Sequence, residues 1–127
     1  MSGTVLLVED HPLNRELARE LLEVKGFTVL EAATGQDALR LAAESRPDLV
    51  LLDLRLPDLD GMEVARRLQG DASTRHLTLV ALTAQAMRGD EQAARAAGFA
   101  GYITKPIDTR TFPAEIGRFL SLAEGSR

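Results

Sequence analysis

Three carboxylates, a hydroxyl and an amine each stand at the end of a short apolar run in this chain. Glu9 and Asp10 follow Val5-Leu6-Leu7-Val8, Asp53 follows Leu49 to Leu52, Thr83 follows Leu79 to Leu82, and Lys105 follows Ala100 to Thr104. Any one of these is an ordinary polar residue at a strand end; the five together form a candidate site. If Asp10 and Asp53 lie ~5 Å apart, two like charges at an effective dielectric of ~20 repel by ~3 kcal/mol, and Glu9 adds to that. Something positive must offset it. Hard carboxylate oxygens without a His or Cys cluster suit Mg²⁺ or Mn²⁺, and the implied ligands are Asp10 and Asp53. A carboxylate can also act as a nucleophile and form an aspartyl phosphate, a transfer that needs mainly in-line positioning and charge neutralisation. Metal and Lys105 would neutralise. The Thr83 hydroxyl could donate to a phosphoryl oxygen that exists only after transfer, so its position would differ between the two states.

The elements that must position these groups are legible as alternating short apolar runs and segments of helical period, the pattern of repeated βα units around a mainly parallel sheet. Val5–Val8 and Leu49–Leu52 are continuously apolar, as strands covered on both faces require. In the strand Phe27–Ala32, Glu31 interrupts the apolar run and suggests a wet edge position. Pro12 opens a first helix with a stripe of Leu13, Leu17, Leu21 and Val24, ended by Gly26. Thr34 with Asp37 resembles a capping box for a second helix. Leu54–Asp60 has turn chemistry, Asp60 and Glu63 open a third helix, and Gln69–Leu77 reads as a polar loop. An alanine-rich fourth helix spans Ala86–Ala97, weakened by Gly89 by about 1 kcal/mol relative to alanine and stopped by Gly98. Phe112, Ile116, Phe119 and Leu120 line a fifth. The fold class is α/β, a three-layer doubly wound (βα)5 arrangement with function at the carboxyl ends of the strands.

A chain of 127 residues suits one domain, expected to span 1–127 with no output domain. The longest apolar runs fall far short of the ~18 residues a membrane span needs, and no basic signal region precedes the first strand, so a cytoplasmic location is expected. The absence of cysteine excludes disulfides, thiolate metal sites and cysteine nucleophiles. A net charge of -4, with 15 scattered Lys and Arg residues, argues against nucleic-acid binding and for protein partners.

Glu9-Asp10, Asp53 with Pro57 and Gly61, Thr83-Ala84, Tyr102 and Lys105-Pro106 together resemble the response-regulator receiver domain of bacterial two-component signalling, over essentially the whole chain. The resemblance implies a flavodoxin-like five-stranded parallel sheet in the order 2-1-3-4-5. It implies that Asp53 takes a phosphoryl group from a histidine kinase or histidine phosphotransfer protein. It also implies Mg²⁺ at Asp10 and Asp53, with Glu9 through water and the backbone carbonyl of Arg55 completing the set. Thr83 and Tyr102 become a switch pair, the Lys105-Pro106 peptide is expected to be cis, and Lys105 holds the product. The segment Thr83–Asp90 resembles stand-alone receivers that control cell polarity or division, and also receivers fused to hybrid kinases. A downstream effector would read helix four, strand five and helix five, with Met87, Arg88 and Arg95 on that surface. Glu9 replaces the more usual aspartate, keeping the charge, and metal binding is expected to survive. Arg55 and Gln85 could influence phosphoryl lifetime.

His11 and His76 read as solvated loop residues. The protein is expected to be a phosphoacceptor assisting its own phosphotransfer and dephosphorylation, without a separate substrate. An aspartate-nucleophile phosphatase would want a second acid two residues past the nucleophile, where Arg55 stands. A nucleotide or flavin module would want a glycine- or hydroxyl-rich phosphate loop, whereas Glu9-Asp10-His11-Pro12 is acidic and lacks glycine. A non-phosphorylated interaction scaffold keeps every motif and differs only in taking up no phosphoryl group.

Overall fold

The computed structural model describes residues 3–84 and 88–125. Among these residues ten elements alternate strictly: β1 (Thr4–Val8), α1 (Pro12–Val24), β2 (Thr28–Ala32), α2 (Gly35–Ser45), β3 (Leu49–Asp53), α3 (Gly61–Gly70), β4 (Thr78–Thr83), α4 (Arg88–Ala96), β5 (Gly101–Thr104) and α5 (Phe112–Gly125). The strands form one sheet in the order β2-β1-β3-β4-β5, every pair parallel. Gln85, Ala86 and Met87, assigned by sequence to the approach and start of the fourth helix, lie outside the described residues.

The burial pattern explains the strand compositions. Val5 to Val8 in β1 and all of β3 are buried, since both strands are sandwiched between helical layers. One face of the sheet packs Leu6, Val8, Val50, Leu52 and Ala81 against Ala38 and Ala42 of α2, Val64, Ala65 and Leu68 of α3 and Ala94 of α4. The other packs Val5, Leu7, Leu51 and Leu82 against Ala18 and Leu22 of α1 and Phe112, Ile116 and Leu120 of α5. As Glu31 foretold, β2 is an edge strand, and its exposed carboxylate faces Arg15 and Arg19 of α1 at 3.6 Å each.

Two sequence expectations are corrected. The buried stripe of α1 runs through Ala18 and Leu22 with Leu21 at its margin, while Leu13, Leu17 and Val24 are exposed at 71%, 41% and 81%. The small side chain of Ala18 lets the helix lie close on the sheet, and residues one position to its N-terminal side turn outward. The polar stretch after α3 begins later than expected, because the helix continues through Gly70. Within that stretch Thr74 is buried, and its hydroxyl donates to the Leu68 carbonyl at 2.7 Å, satisfying one of the acceptors that the end of α3 leaves open. No helix among the described residues is long and apolar enough to cross a membrane.

Candidate functional site

The strand order reverses between β1 and β3, since β1 leads to β2 on one side and the chain then crosses back to β3 on the other. The carboxyl ends of these two strands therefore flank the crevice in which open α/β sheets collect function. Asp53 is the last residue of β3 and is 4% exposed; Glu9 follows β1 and is 1% exposed; Asp10 is exposed. Carboxylate oxygens of the three lie within 4.8 Å of one another.

Lys105, one residue past β5, reaches across from the far side. Its Nζ donates to Asp53 Oδ2 at 2.6 Å and to Glu9 Oε2 at 2.8 Å. Its backbone N–H donates to the Thr83 carbonyl at 2.8 Å, and the following peptide to Pro106 is cis. The other oxygen of Asp53, Oδ1, accepts the Arg55 N–H at 2.9 Å, so both oxygens of this carboxylate are fixed. These residues line a cleft of about 530 Å³, together with Asp10, His11, Met62 and Thr83.

The charge balance follows from burial. Loss of solvent, and then the neighbouring Asp53, push the Glu9 carboxyl up to about 7, despite the Lys105 amine. Burial also acts to raise Asp53, but hydrogen bonds from Glu9, Lys105 and the Arg55 N–H outweigh it and hold this carboxyl below its ordinary value. Burial would lower Lys105, yet its two carboxylate partners leave it raised. Of the two buried acids, Glu9 is thus the one that holds a proton more readily, while Asp53 stays ionised beside the Lys105 ammonium. The Glu9 side chain turns inward to that ammonium rather than toward solvent, a use of its extra methylene that the sequence alone did not indicate. As to Mg²⁺, the donor set fits: hard oxygens from three carboxylates, close together at a mouth open to water.

Thr83 ends β4 and is half-buried. In the β4–β5 register Ala81 faces Tyr102 and Thr83 faces Thr104, so Thr83 and Tyr102 lie diagonally on the same face of the sheet. Tyr102 is half-buried against the core layer that α2, α3 and α4 cover. Arg88 and Arg95 both belong to α4, and Arg95 is exposed. His11 is the exposed residue preceding α1, and its side chain makes no capping bond.

Two supporting residues escaped the sequence reading. Asn14 Nδ2 donates to Glu9 Oε1 at 3.3 Å, and Arg15 Nη1 donates to the Glu9 carbonyl at 2.9 Å. The available signal was their place in the first turn of a helix that starts just behind Glu9, because helical side chains lean toward the N-terminus.

The Glu9 shift predicts a pH effect on folding. A carboxyl raised in the folded state stabilises fully below its unfolded value near 4.5 and loses that contribution as pH rises through about 7. In EDTA, the melting temperature of the wild type is expected to fall by several degrees between pH 5 and 8. Glu9→Gln, which cannot titrate, is expected to be flat over that window, and parallel melting curves for the two proteins would contradict the assignment.

The site thus belongs to the class of open parallel α/β folds that gather a fixed carboxylate, two further acids and an amine at the switch point of the sheet. The sequence matches the response regulator receiver domain over residues 5–116, and the chain belongs to that family. It is therefore a phosphorylation-dependent signalling module of the two-component type. The polar-differentiation response regulator DivK of Brucella anthropi is 42% identical over 120 residues, covering 94% of this chain and 98% of that protein. The receiver domain of the sensor histidine kinase PA1611 from Pseudomonas aeruginosa, solved with a magnesium ion coordinated in its active-site cleft, superposes with a TM-score of 0.83 at 35% identity, covering 98% and 99% of the two chains. The chemotaxis response regulator CheY4 of Vibrio cholerae gives a TM-score of 0.88 at 25% identity over 94% and 99%.

Proposed function

We propose that Asp53 accepts a phosphoryl group from the phosphohistidine of a histidine kinase or histidine phosphotransfer protein. The observation that carries this reading is the grip on Asp53: Lys105 on one oxygen, the Arg55 N–H on the other, and two further carboxylates within 4.8 Å. A carboxylate so held is presented as a nucleophile with a fixed direction of attack. A P–O bond to Asp53 forms as the donor's P–N bond breaks, and the electron pair returns to the imidazole nitrogen.

Asp10, Asp53 and the Arg55 carbonyl would hold Mg²⁺, with Glu9 engaged through water. When bound, the ion neutralises the carboxylates and the incoming phosphoryl oxygens. Lys105, already between Glu9 and Asp53, would supply positive charge from the protein itself and follow the charge onto the new phosphate. Thr83 would move to a phosphoryl oxygen and Tyr102 would follow into the space it leaves, carrying the change to the surface of α4, β5 and α5. A protein effector would read it there. The likeness to polarity regulators and to a kinase-borne receiver favours a cytoplasmic protein that acts through protein partners and has no separate substrate.

Incubation with MgCl₂ and acetyl phosphate, followed by intact mass, is expected to show one phosphoryl adduct per chain. EDTA is expected to prevent it, and peptide mapping after borohydride reduction to locate it at Asp53. No adduct, or an adduct elsewhere, would sink the reading.

A further inference from the structure

The loop from Leu54 to Asp60 carries the Arg55 backbone that grips Asp53, and its base is closed by its own bonds. Gly61 N–H donates to the Leu54 carbonyl at 3.0 Å, and Arg55 and Asp60 form an antiparallel bridge. Such a hairpin can still swing about its base unless the tip is held. The tip is held by α2. Asp58 Oδ1 accepts the Gly35 N–H at 2.8 Å and Oδ2 accepts the Gln36 N–H at 3.0 Å, a bidentate cap delivered from 22 to 23 residues away. Thr34 supplies the remaining cap bond, from Asp37 N–H to its Oγ1 at 3.1 Å. Leu59 presses against Gly35 so closely that a Cβ there would meet Leu59 Cβ at 2.9 Å and Val64 Cγ2 at 3.0 Å. The Gly35 N–H, and then that of Gln36, hold the Asp58 carboxyl below its ordinary value, so the clamp stays charged at neutral pH.

We infer that Asp58 is a positioning residue for the phosphoacceptor site: by clamping the loop tip to the start of α2, it fixes the orientation of the Arg55 peptide toward Asp53 and the metal. The division of the cap makes this separable from helix stability. Thr34 and Asp58 satisfy neighbouring N–H groups of the same helix end, but Asp58 alone of the two connects that end to the loop. A carboxylate is required because two donors of one helix start converge on it, where the helix dipole also favours negative charge. An amide offers one acceptor.

The inference rests on the proposed role of the Arg55 carbonyl as a metal ligand, and its test has an arm that does not. Wild type, Asp58→Ala, Asp58→Asn and Thr34→Ala are titrated with MgCl₂ and followed by backbone amide NMR shifts. Asp58→Ala is expected to weaken Mg²⁺ binding by about tenfold, the lower end of what groups that orient metal ligands contribute. Asp58→Asn is expected to fall between it and wild type, and Thr34→Ala to bind as wild type. In metal-free protein, Asp58→Ala is expected to speed hydrogen exchange at the Arg55 N–H, and Thr34→Ala to leave that amide unchanged. Unchanged Mg²⁺ binding and unchanged Arg55 exchange in Asp58→Ala would overturn the inference, as would equal effects from Thr34→Ala. A wild type that binds no Mg²⁺ would instead overturn the metal reading, and the exchange arm would still decide the role of Asp58.

Discussion

An Asp53→Asn protein is expected to gain no phosphoryl group under conditions that fully load the wild type, and to lose stability differently with pH. The substitution keeps the shape and one carbonyl oxygen, which can still accept the Arg55 N–H now 2.9 Å from Oδ1. It removes the negative charge and the nucleophilic electron pair, for which an amide is no substitute. The second atom of the amide becomes an N–H donor facing the Lys105 ammonium, itself only a donor, so the 2.6 Å contact must open. Lys105 is then left to Glu9 alone. After burial, Asp53 is the main cause of the high Glu9 value, through both its hydrogen bond and its charge. Its removal is expected to bring the Glu9 carboxyl down, moving the stability step expected in EDTA to lower pH. Intact mass reads the first effect and melting curves from pH 4 to 8 the second. An adduct on Asp53→Asn would put the acceptor elsewhere, and an unmoved pH step would show that Glu9 and Asp53 are not coupled as the geometry requires.

The second large effect is expected at Gly61, the first residue of α3. A Cβ there would stand 2.6 Å from the Asp53 carbonyl oxygen and 2.6 Å from Leu54 Cα. Both are backbone atoms, so no rotamer change relieves the overlap, and either α3 or the end of β3 must shift. Overpacking of this kind costs roughly 1–3 kcal/mol or more, and here one of the crowded atoms is the backbone oxygen of Asp53, the proposed phosphoacceptor. Gly61→Ala is expected to lower the urea midpoint clearly and to slow phosphorylation by acetyl phosphate. Gly70→Ala, at the other end of the same helix, is the matched control. That position has nothing within 4 Å of the added methyl group, and alanine there should stabilise by a few tenths to about 1 kcal/mol. Equal midpoints for the two variants would remove the close approach of Gly61 to β3 as an explanation of its presence.

The strands were legible because burial on both sides leaves no room for polar residues. Leu6, Leu7, Val50, Leu51 and Val80 are fully buried, and the apolar runs that contain them end where the sheet ends. That same abruptness revealed Asp53, Thr83 and Lys105. The strand order was supplied by family likeness, since alternation of β and α alone does not say which strands are neighbours. Failures arose where the determining contact is remote or a small residue decides. The α1 stripe was misplaced because leucine and valine outweigh alanine in any count of apolarity, yet Ala18 is the residue that packs and Leu13 the one that faces water. The inward turn of Glu9 depends on an amine 96 residues away. The Asp58 clamp depends on a helix start 22 to 23 residues away, and nothing in Leu56-Pro57-Asp58-Leu59 signals that partner. Asn14 was within reach, since a helix opening behind an acidic pair aims its first-turn side chains back at it.

The Lys105 tie also bears on how the chain comes into being. Its two bonds span 52 and 96 residues, and the amine follows β5, which is synthesised after the other four strands of the sheet. Until β5 docks on β4, the acids at the ends of β1 and β3 have no ammonium between them and repel one another. A nascent or clipped chain that lacks β5 therefore lacks the ammonium that, under the proposed function, shares with Mg²⁺ the neutralising of an incoming phosphoryl group. Under the proposed function an unfinished copy is expected to take up phosphoryl groups poorly, so that errors of synthesis and folding would reduce the signal rather than imitate it.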